Sequence, residues 1–315
     1  MTVQAMLLRA SDGCDLHGVH LPAPAGAAPA LLLLHSANQT HRTMLPLAEA
    51  VCDLAEVTAL DLRGFGASRC PDPAAHTWDR LAEDVLDWAR SVRERRGADT
   101  EVVVAGFALG ASVAIRAAAR AEQGGHRAGA VQGGATDRPA PAIGGDRIDA
   151  LVLLAPHHRP GEPVTEQAAA RNSALADQIE LDGAEAVLEP WLRSLPDRLA
   201  EPLRRDIAVA DPASLVASFR GLTSENPLAD PAVVVRAGRH THRVLVVPGD
   251  DASHPAEVGV DVAKLLGDAG AQVRLAQVLA GVAQPSAETW SAAVAGPMRT
   301  ALAENGALSK NGGNV

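Results

Sequence analysis

The chain has 315 residues, of which 47 % are hydrophobic but only 2 % aromatic, with no tyrosine, so its core must be built from Ala, Val and Leu and it lacks the rings on which single-stranded nucleic acid stacks. Lys and Arg number 28 against 38 Asp and Glu, and the resulting net charge of -10 favours solubility and repels phosphate backbones, so nucleic acid is not expected as a partner. Three scattered cysteines, Cys14, Cys52 and Cys70, form no C-x-x-C pair, and no segment approaches the length of a membrane span. A cytoplasmic protein without a membrane partner is the expectation.

In chain order, "QAMLLRASDGCDLHGVHLPAP" reads as two short strands around an Asp12-Gly13 turn. "PALLLLHSANQTH" is a continuous apolar run ending at His35, the pattern of a parallel strand buried on both faces. A helix is predicted from about Met44 to Leu54, then a strand ending at Asp61. "TWDRLAEDVLDWARSVRERRG" places Trp78, Leu81, Val85 and Trp88 on one helical stripe, stopped at Gly97. A strand over 101–105, a turn at Gly106 and a helix from Leu109 to about Glu122 complete another βα unit. Residues 123–147 are rich in Gly, Ala and Pro without periodicity and read as a flexible surface insertion. A buried strand follows in "IDALVLLAPHHRP". From 157 to 241 only helical patterns separated by prolines occur, too many for a crossover, which predicts a cap. "HRVLVVPGDD", "PAEVGVDVAKLLGDAG", "AQVRLAQVLA" and "SAETWSAAVAGPMRTALAEN" continue as strand, helix, strand and helix, before a tail over 307–315. The domains expected are a core over 1–156, a cap over 157–241 and the rest of the core over 242–306.

Three local motifs sharpen this. "LLLLHSANQTH" is an apolar strand ending in His35-Ser36-Ala37; "ALDLRGFGAS" has the form D-x-R-G-x-G-x-S through Asp61, Arg63, Gly64, Gly66 and Ser68; "VAGFALGASVA" has the form G-x-S-x-G with Ala108 in place of the serine. With these at the right intervals, the chain resembles the α/β-hydrolase fold family over nearly its whole length. The resemblance implies a doubly wound, mostly parallel eight-stranded sheet with a helical cap inserted after strand 6. It also implies a triad of nucleophile, acid and His, of which Ala108 cannot attack anything. The acid position falls on Ala252 by direct count from Gly249, or on Asp251 if one residue is deleted, and Asp250 and Asp251 also fit as ordinary loop carboxylates. Gln284 stands where the His would be, no histidine follows His254, and an amide cannot serve as a general base near neutral pH. An engineered Ser-to-Ala exchange would account for Ala108 alone, not for Gln284. Ser112, one helical turn on, reads as a packing residue.

The oxyanion hole of such a fold is made of backbone N–H groups, here expected from Ala37 and Leu109 with Ser36 beside them, and needs neither missing side chain. His157 and His158 open the cap, His35 ends the strand beside the hole, and His254 shares the loop of Asp251; His158, His157 and His35 are the candidates for a relocated base. His240 and His242 lack a carboxylate or Cys companion, so no metal site is expected, and no cofactor either. Two functions follow. One is a hydrolase-like protein that binds a small apolar or carbonyl-containing molecule between core and cap without hydrolysing it, with a protein partner or a second copy in reserve. The alternative is a non-hydrolytic enzyme, a cyclase, lyase or isomerase, that uses the backbone hole and a relocated His or Asp base.

Overall fold

Five consecutive apolar residues bounded by polar ones cannot leave either face of a strand in water, and Ala30–Leu34 (β3) is accordingly buried throughout. The computed structural model describes residues 3–23, 28–121, 147–280 and 286–308. The insertion expected at 123–147, all but its last residue, lies outside them, as do Gln284 and the tail from 309.

The sheet has eight strands: Gln4–Arg9 (β1), Asp15–Leu21 (β2), β3, Glu56–Leu60 (β4), Val102–Phe107 (β5), Ala150–Leu154 (β6), Arg243–Val247 (β7) and Gln272–Leu275 (β8). Their spatial order is β1-β2-β4-β3-β5-β6-β7-β8. β1 and β2 form the antiparallel hairpin expected around Gly13, β2 pairs antiparallel with β4, and every later pairing is parallel. The last strand is shorter than its sequence pattern: it ends at Leu275, and the Ala276 N–H then donates to the Val246 carbonyl.

Alternate residues of each strand feed two hydrophobic layers. Leu32, Leu34, Val104, Leu153 and Val246 face Trp78–Arg96 (α2) and Leu109–Arg120 (α3). Leu31, Leu33, Val103, Val152 and Leu245 face Leu45–Val51 (α1) and the final helix. The α2 stripe of Trp78, Leu81, Val85 and Trp88 is fully buried, each such side chain contributing about 1.5–3 kcal/mol. Thr77 sets the start of this helix by accepting from the Arg80 N–H.

The insertion after β6 holds Glu166–Asp182 (α4), Ala184–Arg193 (α5), Asp197–Ala208 (α6) and Pro212–Leu222 (α7), which share a small core of Ile179, Leu188, Leu192, Ile207 and Val216. The next helix, Ala232–His240 (α8), differs from the cap expected through 241: Val233, Val234 and Ala237 are buried in the main core, so it belongs to the sheet layer. Ala256–Asp268 (α9) and Ala287–Leu308 (α10) complete the layers. Among the described residues no helix is long and apolar enough to cross a membrane.

The turn from β5 into α3 packs backbone on backbone. A Cβ on Gly106 would lie 2.2 Å from the carbonyl carbon and oxygen of Gly110, and one on Gly110 would lie 2.6 Å from the Leu34 carbonyl oxygen. Closing that turn puts Ala108 at φ 49°, ψ -103°, a conformation that costs a non-glycine residue roughly 1–3 kcal/mol. Gly106→Ala should therefore lower stability by about 3 kcal/mol in urea unfolding. Gly267→Ala, in α9 with only an ordinary 3.7 Å contact to Val273, should raise it by about 0.5–1 kcal/mol.

Candidate active site

Parallel strands end together, so the loops after β3, β5, β6 and β7 collect at one edge of the sheet, and the cap closes over them. Between them lies a cavity of about 720 Å³. Its wall on the sheet side includes Ser36, Ala37, Phe107, Ala155, Asp251 and His254, and its roof comes from α5 and α6. A second cavity of about 230 Å³ lies against the first residues of β6, β7 and β8, Arg243, Gln272 and Arg274 among them, away from these groups.

His35 is held by hydrogen bonds at both ring nitrogens. Its Nε2 accepts the Leu62 N–H at 2.9 Å, which leaves the ring proton on Nδ1, and Nδ1 donates to the Ser36 carbonyl at 2.6 Å. Both nitrogens are committed and the ring is fully buried, so burial pushes it down to about 4 and it stays neutral near pH 7. Its effect is directional. In a trans peptide the C=O and the following N–H point opposite ways, so fixing the Ser36 carbonyl on the buried ring turns the Ala37 N–H away from it, and Ala37 lines the cavity. Ser36 itself donates its N–H to the Gln39 Oε1.

Asp61, in the loop after β4, holds the same region from below. It accepts from the His41 backbone N–H and ring Nδ1, each at 2.8 Å, and from the Ala67 N–H at 3.0 Å. Burial works to raise its pKa, but the hydrogen bond and charge of His41 prevail and hold the carboxyl below its ordinary value. Arg63 of the same motif turns away into the core and grips Asp84 of α2 through two bonds of 2.8 and 2.6 Å.

The elbow does not open into the cavity. Ala108 is fully buried, Leu109 is 6 % exposed, and neither belongs to the cavity wall, where Phe107 stands instead. Of the two residues whose amides the resemblance assigns to the hole, Ala37 lines the cavity and Leu109 does not. His158 also lies off the cavity: its Nδ1 meets the Ser112 hydroxyl at 2.9 Å, and Trp78 packs against it at 5.1 Å. Ser112 is therefore a hydrogen-bonding partner as well as a packing residue. His157 stacks on His158 with centroids 3.8 Å apart and hydrogen-bonds the Ala108 backbone. Burial, then the neighbouring His254, lowers His157 to about 4; burial, then His157, holds His158 well below its ordinary value.

The pair that does face the cavity is Asp251 and His254. The Asp251 carboxylate accepts the Ser253 and His254 backbone N–H groups at 2.8 and 2.9 Å, and the His254 Nδ1–H at 3.1 and 3.2 Å. Gly249 permits this closed loop, since a Cβ there would sit 2.4 Å from the His254 carbonyl oxygen. With Nδ1 donating to the acid, Nε2 is the ring's acceptor. Phe107 stacks on the ring at 5.6 Å, and Trp290 of α10 meets Phe107 at 5.0 Å, so the imidazole is clamped rather than mobile. The candidates chosen from sequence left His254 aside, although a His three residues after an acid in a tight loop was a readable signal. Among the described residues no cluster with metal-ligand character occurs.

Residues 31–295 match the sequence profile of the Alpha/beta hydrolase family. Similar solved structures include the bottromycin epimerase BotH in complex with bottromycin A2, at 20 % identity over 96 % of this chain and 99 % of that one, with a TM-score of 0.60. A thermophilic esterase from Thermogutta terrifontis is 20 % identical over 98 % of each chain, with a TM-score of 0.63. The enol-lactonase of Burkholderia xenovorans LB400 is 18 % identical over 86 % and 91 %, with a TM-score of 0.62. No curated protein matches the sequence.

Buried neutral histidines make stability depend on pH. Unfolded, His157 takes a proton below about 6.5, whereas the folded ring stays neutral down to about 4, so unfolding takes up a proton in that window and stability falls as pH drops through it. Asp84, raised by burial to about 6 against the pull of Arg63, works the other way, so the useful quantity is a difference between proteins. The slope of urea-unfolding stability between pH 6 and 4.5 should be smaller in His157→Gln than in the unaltered protein by about 1.4 kcal/mol per pH unit.

Proposed function

The chain belongs to the alpha/beta hydrolase family, and we propose that it is a non-hydrolytic enzyme of that family, which removes a proton from carbon beside a carbonyl held between core and cap. The observation that carries this reading is the Asp251–His254 pair, fixed in the cavity wall on the same side as the Ala37 amide, while the elbow residue Ala108 is buried and has no nucleophilic atom. A base needs a free nitrogen, a set tautomer and a nearby group to receive the charge it creates. His254 has the first, Asp251 fixes the second, and the Ala37 N–H supplies the third.

In the proposed step the ligand carbonyl oxygen lies against the Ala37 N–H and Nε2 of His254 takes the adjacent C–H proton. Negative charge moves to the oxygen, where the N–H stabilises it, and Asp251 balances the imidazolium. Return of the proton to another face or position is isomerisation; loss of a group from the next carbon is elimination. Trp191, Trp290 and Phe107 in the wall favour a ligand with apolar substance around its carbonyl. An epimerase among the similar structures supports the compatibility of this fold with chemistry other than ester hydrolysis. Loss of the serine and histidine of the usual triad, at Ala108 and Gln284, belongs to the same proposal.

The test is exchange in deuterated water. S-phenylacetyl-N-acetylcysteamine, a thioester with an acidic C–H, should gain deuterium beside its carbonyl with the unaltered protein, followed by proton NMR. His254→Gln should slow this about 10²–10⁴-fold. Fluorophosphonate probes should label nothing in the cavity. Equal exchange by the variant would remove His254 from the reaction, and tight binding without any exchange would favour a protein that holds its ligand without chemistry.

A further inference from the structure

We infer that the Asn38 side chain supplies, through Nδ2, the second hydrogen-bond donor to the ligand's carbonyl oxygen, in the place that the family resemblance gives to the Leu109 amide. The inference deepens the function proposed above and rests on it for the identity of the bound oxygen.

An oxygen gathering negative charge is best held by more than one donor, and Leu109 is not among the residues lining the cavity. Asn38 does. It directly follows Ala37, lines the same wall, and has φ 58°, the left-handed conformation that Asn tolerates better than most residues. Its Oδ1 is buried without any partner. Nδ2 makes no hydrogen bond among the described residues and is not one of the buried unpaired atoms, so it is the end of the amide left open to the cavity. The orientation is physically sensible: a buried carbonyl oxygen without a partner is less rare than a buried N–H group without one, so turning Oδ1 in and Nδ2 out is the less costly arrangement. The unpaired oxygen still costs something, and a side chain held at that cost next to an outward-facing N–H has the form of a binding group. Two adjacent neutral donors, Ala37 N–H and Asn38 Nδ2–H, suit a carbonyl or enolate oxygen, and neither has to lose a proton during the reaction.

Two substitutions separate side chain from backbone. Asn38→Gly keeps the left-handed turn and deletes the amide. Asn38→Asp keeps the shape and presents only acceptors. Phenylacetate is the probe, its planar carboxylate resembling an enolate and its ring suiting the apolar wall. In ¹⁵N-resolved NMR, the Asn38 Nδ2 proton should move downfield as phenylacetate is added. Affinity should fall about tenfold in Asn38→Gly and further in Asn38→Asp, with the urea midpoint of Asn38→Gly little changed. In the exchange assay, Asn38→Gly should lose about 10²–10³ in kcat, with KM altered less than threefold. An unmoved Nδ2 resonance at 100 mM phenylacetate, or unchanged affinity in Asn38→Gly, overturns the assignment. So does a shift produced by phenethylamine and not by phenylacetate, since Oδ1 would then be the exposed atom. The binding arm thus judges Asn38, and the exchange of His254→Gln judges the base.

Discussion

One buried imidazole sets the geometry on which the rest of the site depends. His35 stands at the end of β3 and joins two loops that are separate in sequence, taking the Leu62 N–H on one nitrogen and giving its own proton to the Ser36 carbonyl. Because the ring is sealed from water and neutral, this pair of bonds is insensitive to pH over the physiological range. Turning Ser36 inward turns Ala37 outward, and the loop that follows, from Asn38 to His41, is then gathered by Asp61. A fixed backbone donor facing a cavity is a prerequisite for stabilising charge on a bound oxygen without reorganisation.

The elbow has a different reason to exist. In a serine hydrolase its tight turn presents a nucleophile; here the apex is an alanine with no access to the cavity. The turn is still required, because α3 runs so close to β3 and β5 that only glycines fit at 106 and 110. Ala108 bears the resulting backbone strain, and its N–H is satisfied by the Leu154 carbonyl. Packing maintains the motif independently of the chemistry that the motif usually serves. In the neighbouring loop Asp251 both closes the turn and orients His254.

Cap and core are joined by polar bonds in buried places. Asp206 of α6 accepts the Thr40 hydroxyl at 3.1 Å, and Ser214 of α7 accepts the Cys70 N–H at 2.7 Å. His76 donates from Nε2 to the Cys70 carbonyl and so must accept the Ser218 hydroxyl at Nδ1. Buried groups of this kind are costly when parted, which seats the cap in one position over the cavity.

Much of this was legible in the chain itself. Strand and helix periods, the Asp12-Gly13 turn, the spacing of the three motifs and the proline-separated helices after 156 determined the sheet, its sense and the presence of a cap, because each is a relation among residues within a few positions of one another. The lack of a nucleophile at 108 needed no structure. The tertiary structure alone decided that His35 is spent on Leu62, 27 residues away, and His158 on Ser112, 46 residues away, since neither partner can be inferred from local pattern. It also decided that α8 packs in the main core and that Leu109 is not among the residues lining the cavity. An imidazole can be base, donor or spacer with the same sequence around it; what fixes its role is which nitrogen is already occupied and whether water can reach the other, and both are set by chain segments that meet only when the sheet is assembled.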